Sequence, residues 1–509
     1  MSHQPNILLV TADQWRGDCL SALQHPCIRT PHLDALARDG VLFAGHYCQA
    51  VPCGPSRASL HTGLYLMNHR SVINGTPLDR RHANWALRLR DVGYDPVLFG
   101  YTDTSADPRE YPADAPELRT YEGLLPGLRP EVLLNESDVT VWADWLREQG
   151  VSVPQRGYDL YLTKASQPEW EQGGSAPAPL AISAEQHDTR FLTDCAIDYI
   201  KGRTAPWCVH LSLLRPHPPW IAPEPYNAYY PPDELPGFRR AETADVEATQ
   251  HPWLAWQLTQ RYARAPDVEP RLRRLKASYY GLMSEVDDNV GRLVAELKAD
   301  GAWENTLIVF TSDHGEQLGD HWLLGKCGYF DQSYHIPLIV RDPRDRADVT
   351  RGTVRAEFTE HVDIMPTLLD WLGLPAEPAC DGRSLVPLIE RAGPAGSWRE
   401  TAHWEFDFRD PTSTDAEVAL GLPQHACNLT VLRDRSYKYV HFAGLPPLLF
   451  DLQEDPDELI NRAEDPALMP VRLAYAERLL AWRARHLDQT LTHVKLTENG
   501  AVGRPAPRW

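Results

Sequence analysis

The chain has 509 residues, 43% hydrophobic and 24% charged, an ordinary globular composition with length enough for one large domain and a smaller one. A net charge of −20 excludes the basic surface that nucleic acids or anionic membranes require, so an anionic substrate must be drawn in by a local positive site. Nine cysteines, an odd number with no CxxC pair, suit a reducing cytoplasm better than a disulfide framework. The start, Met1-Ser2-His3-Gln4-Pro5, has no basic n-region or cleavage site. No apolar stretch approaches the ~20 residues of a membrane helix, and a cytoplasmic protein is expected.

Residues Asn6 to Asp13 form an aliphatic run ending in a polar residue, the pattern of a buried strand. Asp13 and Gln14 then stand at its carboxyl end, where open α/β sheets build their sites. Leu33 to Gly40 reads as a short helix closed by glycine, Leu87 to Val92 as helix, and Tyr94 to Thr102 as strand. Residues 105 to 185, rich in Pro, Gly and polar residues, read as a long ordered excursion that shapes a pocket wall. Asp188 to Lys201 is a predicted helix leading to a strand, Trp207 to Leu214, which ends in Arg215-Pro216-His217-Pro218-Pro219. Apolar residues from Leu272 to Leu297 recur at helical spacing, making Pro270 to Ala299 the longest helix. Asn305 to Ser312 and Ile336 to Val340 read as strands and Val362 to Leu372 as helix. The fold class is therefore α/β, a large mainly parallel sheet flanked by helices over residues 1–380. Beyond it, residues 381–509 read as a smaller subdomain. It has four short antiparallel strands, a hairpin around Asp434-Arg435-Ser436, a helix from Met469 to Arg485 and a polar tail.

The stretch Val51-Pro52-Cys53-Gly54-Pro55-Ser56-Arg57 places a cysteine at a loop-to-helix junction. Gly54 and Pro55 favour a tight turn that feeds a helix, so Cys53 meets the positive end of the helix dipole, with Arg57 as a fixed cation on the same side. That environment suits a nucleophile working on a tetrahedral anion; a buried structural cysteine is the plainer alternative. Four strand ends add polar residues: Asp13 and Gln14, Tyr101 to Thr104, His217, and Asp313 with His314. Taken singly, a strand-end aspartate can cap a helix, His217 can be a packed histidine, and Lys326, between Gly325 and Gly328, can be a solvated lysine.

Taken in chain order, these pieces resemble one family. Cys-x-Pro-Ser-Arg is similar to the signature of the type I sulfatases and phosphonate monoester hydrolases of the alkaline phosphatase superfamily. Asp13-Gln14, Arg215-Pro216-His217-Pro218-Pro219, Asp313-His314-Gly315-Glu316 and Gly325-Lys326 follow the family's order. Leu64 to Arg70, Asp381 to Leu385 and Phe450 to Pro456 extend the resemblance nearly end to end, and the phosphonate monoester hydrolases are the nearer branch.

The resemblance implies an alkaline-phosphatase-like fold and a hydrolase of sulfate monoesters, phosphonate monoesters and phosphodiesters. It implies that Cys53 is oxidised to formylglycine by a formylglycine-generating enzyme that binds transiently. One hydroxyl of the hydrated aldehyde attacks sulfur or phosphorus, and the other lets the covalent intermediate collapse. Asp13, Gln14, Asp313, His314 and the modified Cys53 are the implied ligands of one divalent ion, manganese because of the imidazole, with calcium as the alternative. Arg57 and Lys326 are implied to stabilise charge, and His217 and Lys326 to serve the leaving oxygen. Asn74, Tyr101, Thr102 and Asp103 are the implied substrate contacts; Asp103 departs from the hydroxyl residue of relatives, and its carboxylate would repel a dianion. A small anionic ester as substrate, no nucleic acid or membrane partner, and a homo-oligomer complete the expectation. Two other readings stand beside it: a non-catalytic anion binder with unmodified Cys53, and a phospho- or sulfotransferase of the same superfamily.

Overall fold

The computed structural model describes residues 4–163, 177–392 and 398–503. Strand β1 (Asn6–Ala12) is buried along its whole length and lies at the centre of an eight-stranded sheet. Its neighbours are β5 (Cys208–Leu213) and β6 (Thr306–Thr311), both parallel to it. The full order is β4-β3-β5-β1-β6-β7-β2-β8. Here β2 is Val41–Tyr47, β3 Pro96–Gly100, β4 Arg129–Leu133, β7 Leu338–Arg341 and β8 Thr353–Glu360. Strand β7 runs antiparallel to both neighbours, and every other pairing in the sheet is parallel.

Strand periodicity divides the aliphatic residues of β1 between two cores. Leu8, Val10 and Ala12 face one core, which holds Tyr279, Leu282, Met283, Val286 and Val290 of the 31-residue helix Glu269–Ala299. Ile7 and Leu9 face the other, which holds Ala58 and Leu60 of helix Cys53–Thr62 and Ile364, Met365 and Leu368 of helix Ile364–Trp371. With Pro31–Arg38 as α1, Cys53–Thr62 as α2, Trp85–Arg90 as α3 and Asp188–Ile200 as α4, the long helix is α5 and Ile364–Trp371 is α6. Both faces are thus covered, as a parallel sheet requires.

Two edge strands of this sheet lack an aliphatic signature, and β2 has only the short buried run Val41-Leu42-Phe43. Strand β8 carries an extra residue where Ala356 and Glu357 pass Ala44 of β2, it is an edge strand exposed mainly in its first half, and β4 is an exposed edge with a proline in it. Residues 105 to 185 contain β4 and a helix, Thr140–Glu148; positions 164–176 of that excursion lie outside the described residues.

The C-terminal strands Ala402–Asp407, Asn428–Arg433, Tyr437–Phe442 and Leu448–Asp451 (β9 to β12) form an antiparallel sheet in the order β12-β11-β10-β9. The β10–β11 hairpin turns at Asp434, whose Oδ1 accepts from the amides of Ser436 and Tyr437. Helix α7 (Met469–Arg485) covers the sheet with Tyr475, Leu479 and Trp482. The tail also holds a small hairpin, Val494–Thr497 with Gly500–Gly503, that the polar sequence does not announce. All nine cysteines are free thiols, and no helix among the described residues is long and apolar enough to cross a membrane.

Candidate active site

Because β3, β5, β1 and β6 are adjacent and parallel, their carboxyl ends deliver Tyr101, His217, Asp13 and Asp313 to one edge of the sheet. Gln14 leaves β1 with a left-handed φ of 69°, unusual for a side chain larger than glycine. Its amide donates to Asp313 Oδ1 at 3.0 Å and its carbonyl accepts from the Tyr279 hydroxyl at 2.7 Å. Such a conformation costs about 1–3 kcal/mol and persists where the surroundings over-determine it.

Cys53 is the first residue of α2, and the Gly54 amide donates to Asn74 Oδ1 at 2.9 Å. One helical turn on, Arg57 is almost fully buried. Its guanidinium donates to Asp13 Oδ2 and Asp313 Oδ2, each at 3.0 Å, to Ser212 Oγ at 2.8 Å and to the Tyr101 carbonyl at 3.2 Å. It lies 4.3 Å from the centre of the Tyr101 ring, whose hydroxyl donates to Asp13. A planar fork with five donors can bridge both carboxylates at once, which lysine cannot.

Ligand atoms of Asp13, Cys53, Asp313 and His314 all lie within 4.8 Å of one another. His314 Nδ1 is 3.0 Å from the Gly315 carbonyl and so carries the proton, leaving Nε2 free, 3.2 Å from Cys53 Sγ. Asp13 Oδ1 is buried and has no hydrogen-bond partner. Burial and the Asp13 charge push Asp313 up to about 7, against Arg57 and Lys326. Burial would also raise Asp13, but His217, Lys326, His314 and Arg57 hold it well below the usual carboxylate range. Two buried carboxyls, one orphaned oxygen and an imidazole with its lone pair inward fit a divalent cation. Burial and Asp13 also push the Cys53 thiol well above its ordinary range, against the pull of Lys326.

Lys326 donates to Gln14 Oε1 at 2.6 Å. Burial opposes its charge, yet Cys53, Asp13 and Asp313 raise it above its usual value, so it stays a cation. His217 is pushed down to about 3 by burial and Lys326. Its Nδ1 lies 2.8 Å from the Pro218 carbonyl, so the ring is neutral with Nε2 as its free nitrogen.

A family model described as Sulfatase matches residues 5–374. A second, described as N-sulphoglucosamine sulphohydrolase, C-terminal, matches residues 319–485. The chain belongs to the sulfatase family. It is 43% identical to the multifunctional alkaline phosphatase superfamily protein PehA of Trinickia caryophylli, over 98% of this chain and 99% of that one. The crystal structure of the phosphonate monoester hydrolase of Agrobacterium radiobacter superposes with a TM-score of 0.93 at 47% identity, covering 98% of this chain and all of that one (100%). The phosphonate monoester hydrolase SpPMH from Silicibacter pomeroyi gives 0.92 at 38% identity, covering 99% and 100%.

In this sulfatase-family chain the four residues read as substrate contacts occupy different settings. Asn74 supports the turn at Gly54 through its side-chain oxygen. Tyr101 is buried against Arg57 and Asp13. The Thr102 hydroxyl is engaged by the adjoining loop, donating to the Gly123 carbonyl and accepting from the Leu125 amide. Asp103 has a left-handed φ of 47° and comes within 3.8 Å of Arg57. Burial pushes its carboxyl up to about 8, against the pull of Arg57.

The sulfatase site also depends on residues that sequence reasoning passed over. Glu316, inside the quoted Asp313-His314-Gly315-Glu316 run, accepts from the Gln14 side-chain amide and from the amides of Leu318 and Gly325. It thereby turns Gln14 Oε1 toward Lys326 and anchors the Lys326 loop. Ser56 on α2 donates to the Asp313 carbonyl, and Ser212 at the end of β5 holds Arg57. A polar residue at a strand end was the available signal for Ser212; Glu316 offered only its place in the motif.

Proposed function

We propose that this chain hydrolyses sulfate monoesters, phosphonate monoesters and phosphodiesters by way of an oxygen nucleophile made from Cys53. The observation that carries the reading is the gathering of Cys53, Asp13, Asp313 and His314 within 4.8 Å, with Arg57 bridging the two carboxylates. Two solved structures named as phosphonate monoester hydrolases and a relative named as an arylsulfatase support it.

A divalent ion, manganese before calcium, would be held by Asp13, Gln14, Asp313 and His314 and would lower the pKa of an oxygen it binds and neutralise anionic charge. Formylglycine at Cys53 would supply a hydrate with one hydroxyl to attack and another to release the bound acid. Arg57 fixes the two carboxylates and keeps positive charge beside Cys53. Lys326, held as a cation by its acidic neighbours, offsets charge on the tetrahedral centre and the leaving oxygen. His217 is a neutral imidazole whose Nδ1 proton is committed to Pro218, so it brings no proton to the leaving oxygen, and that expected role falls to Lys326.

The test is kcat/KM measured side by side on an aryl sulfate, a phosphonate monoester and a phosphodiester, with intact mass recorded at Cys53. Loss of activity by about three orders of magnitude or more is expected for Cys53→Ala, the scale seen when a covalent nucleophile is removed. Full activity in that variant, or hydrolysis of no ester with an unmodified thiol, sinks the reading and returns the anion-binding one. Transfer to an added alcohol rather than to water would favour the transferase.

We also propose a homo-oligomer in a reducing, cytoplasmic setting. While Tyr475, Leu479 and Trp482 of α7 face inward, Leu473 and Leu480, seven residues apart, are 61% and 70% exposed, and Leu487 and Leu491 in the segment after the helix are 60% and 72% exposed. Light scattering after size exclusion should give a multimer for the native chain and a monomer for Leu480→Glu/Leu491→Glu. A native monomer contradicts the oligomer.

A further inference from the structure

The loop that carries Lys326 is held from two sides. On the active-site side the Gly325 amide donates to Glu316 Oε1 at 2.7 Å. Beyond Lys326 the backbone passes to the short helix Asp331–Tyr334. There the Cys327 amide donates to Ser333 Oγ at 3.3 Å, and the Tyr334 hydroxyl donates to the Gly328 carbonyl at 2.8 Å. Gly328 has a left-handed φ of 80°, and a Cβ at that position would come within 2.4 Å of the Trp253 ring, so the path is closely confined.

The C-terminal sheet grips the same path. Lys438 of β11 is 0% exposed; its Nζ donates to the Tyr329 carbonyl and to Asp331 Oδ1, each at 3.0 Å, and pairs with Glu458. Asp331 Oδ2 also pairs with Arg433 of β10 at 2.8 Å and accepts from the Tyr47 hydroxyl at 3.2 Å. Burial would raise Asp331, yet Arg433 and Lys438 hold it below the usual carboxylate range. Joining two packed layers needs no ammonium, since apolar side chains in place of a buried ion pair are often neutral or stabilising. What an apolar side chain lacks is a donor for the Tyr329 carbonyl, three positions along the chain from Lys326.

We propose that Lys438 is a positioning residue for the hydrolysis, reaching Lys326 through the Tyr329 carbonyl and so making the C-terminal sheet a working part of the active site. The inference rests on the hydrolase reading above and adds a residue to it. Lys438 fixes where the Lys326 backbone stands, and thereby how the ammonium bonded to Gln14 Oε1 meets the leaving oxygen.

The test is a leaving-group series: kcat/KM for the dinitrophenyl, nitrophenyl and phenyl esters of one acid, in the native enzyme and in Lys438→Met. The phenolate that leaves worst most needs its charge offset. The loss in Lys438→Met should therefore grow from little on the dinitrophenyl ester to about 10- to 100-fold on the phenyl ester, the scale of a misplaced catalytic group. Lys326→Met should steepen the series in the same sense, and adding Lys438→Met to it should cost nothing more, because both act through one ammonium. Lys438→Met/Glu458→Met, which replaces the ion pair by apolar chains, carries the same comparison where the single variant fails to fold. Equal loss on every ester, no loss at all, or a further loss in the Lys326→Met background overturns the inference while leaving ester hydrolysis intact. If no ester of any kind is cleaved, the hydrolase reading fails, and hydrogen exchange decides alone. Faster exchange at the Gly325 and Cys327 amides in Lys438→Met upholds the grip on the Lys326 loop, and unchanged exchange removes it.

Discussion

Arg57→Ala is expected to cost about 3–5 kcal/mol of folding stability in metal-free protein, the penalty for leaving buried charges without their partner. Asp13 and Asp313 would remain 1% and 0% exposed with no guanidinium between them. Ser212 Oγ and the Tyr101 carbonyl would lose a donor as well. Arg57→Lys should fall between the two, because a single ammonium cannot reach two carboxylates and a carbonyl in one plane. The measurement is denaturant unfolding with chelator and again with excess manganese. A bound cation would take over part of the neutralisation, so the difference from the native protein should shrink when the metal is added. An Arg57→Ala protein as stable as the native chain under chelator would remove the argument that this residue holds the site together.

Metal itself should be visible as stability. A ligand that binds only the folded state stabilises it by RT ln(1 + [L]/Kd), about 4 kcal/mol at a thousandfold excess over Kd. Manganese added to stripped protein should therefore raise the melting temperature by several degrees, with calcium giving a smaller rise if the imidazole of His314 governs preference. Asp13→Ala should abolish the response, since it deletes the unpartnered Oδ1. Glu316→Gln should weaken it by about 10- to 100-fold in metal affinity, the usual effect of disturbing a residue that orients a ligand. Melting curves unchanged by either ion, with no divalent metal found by elemental analysis of freshly purified protein, would rule out a cation among these residues.

Much of the framework was legible because its signals are local. A buried parallel strand shows as an aliphatic run, so β1, β5 and β6 and the polar residues that end them could be read directly. The 31-residue helix α5 repeats its apolar stripe for many turns, and α7 matches its expected bounds of Met469 and Arg485. Strands β4 and β8 were not legible, because edge positions let polar and charged side chains face solvent, and β2 shows only the three-residue apolar run Val41-Leu42-Phe43 before Ala44 and Gly45. The reversal of β7 is a matter of chain path, and no composition encodes it.

At the site, the sequence by itself determined which chemical groups are available and the order in which they arrive: a cysteine at a helix start, an arginine one turn later, carboxyls at two strand ends, an imidazole and a lysine. Residue type and local spacing are properties of the chain, so they survive without coordinates. Only the tertiary structure decided what each group faces. Glu316 reaches Gln14 across 302 positions, and Thr102 turns to the neighbouring loop. The loop around Gly123 lies on Thr102 and Thr104 because glycine lets the two backbones touch. Those relations arise when separate segments pack, and burial then sets the charge that each group carries.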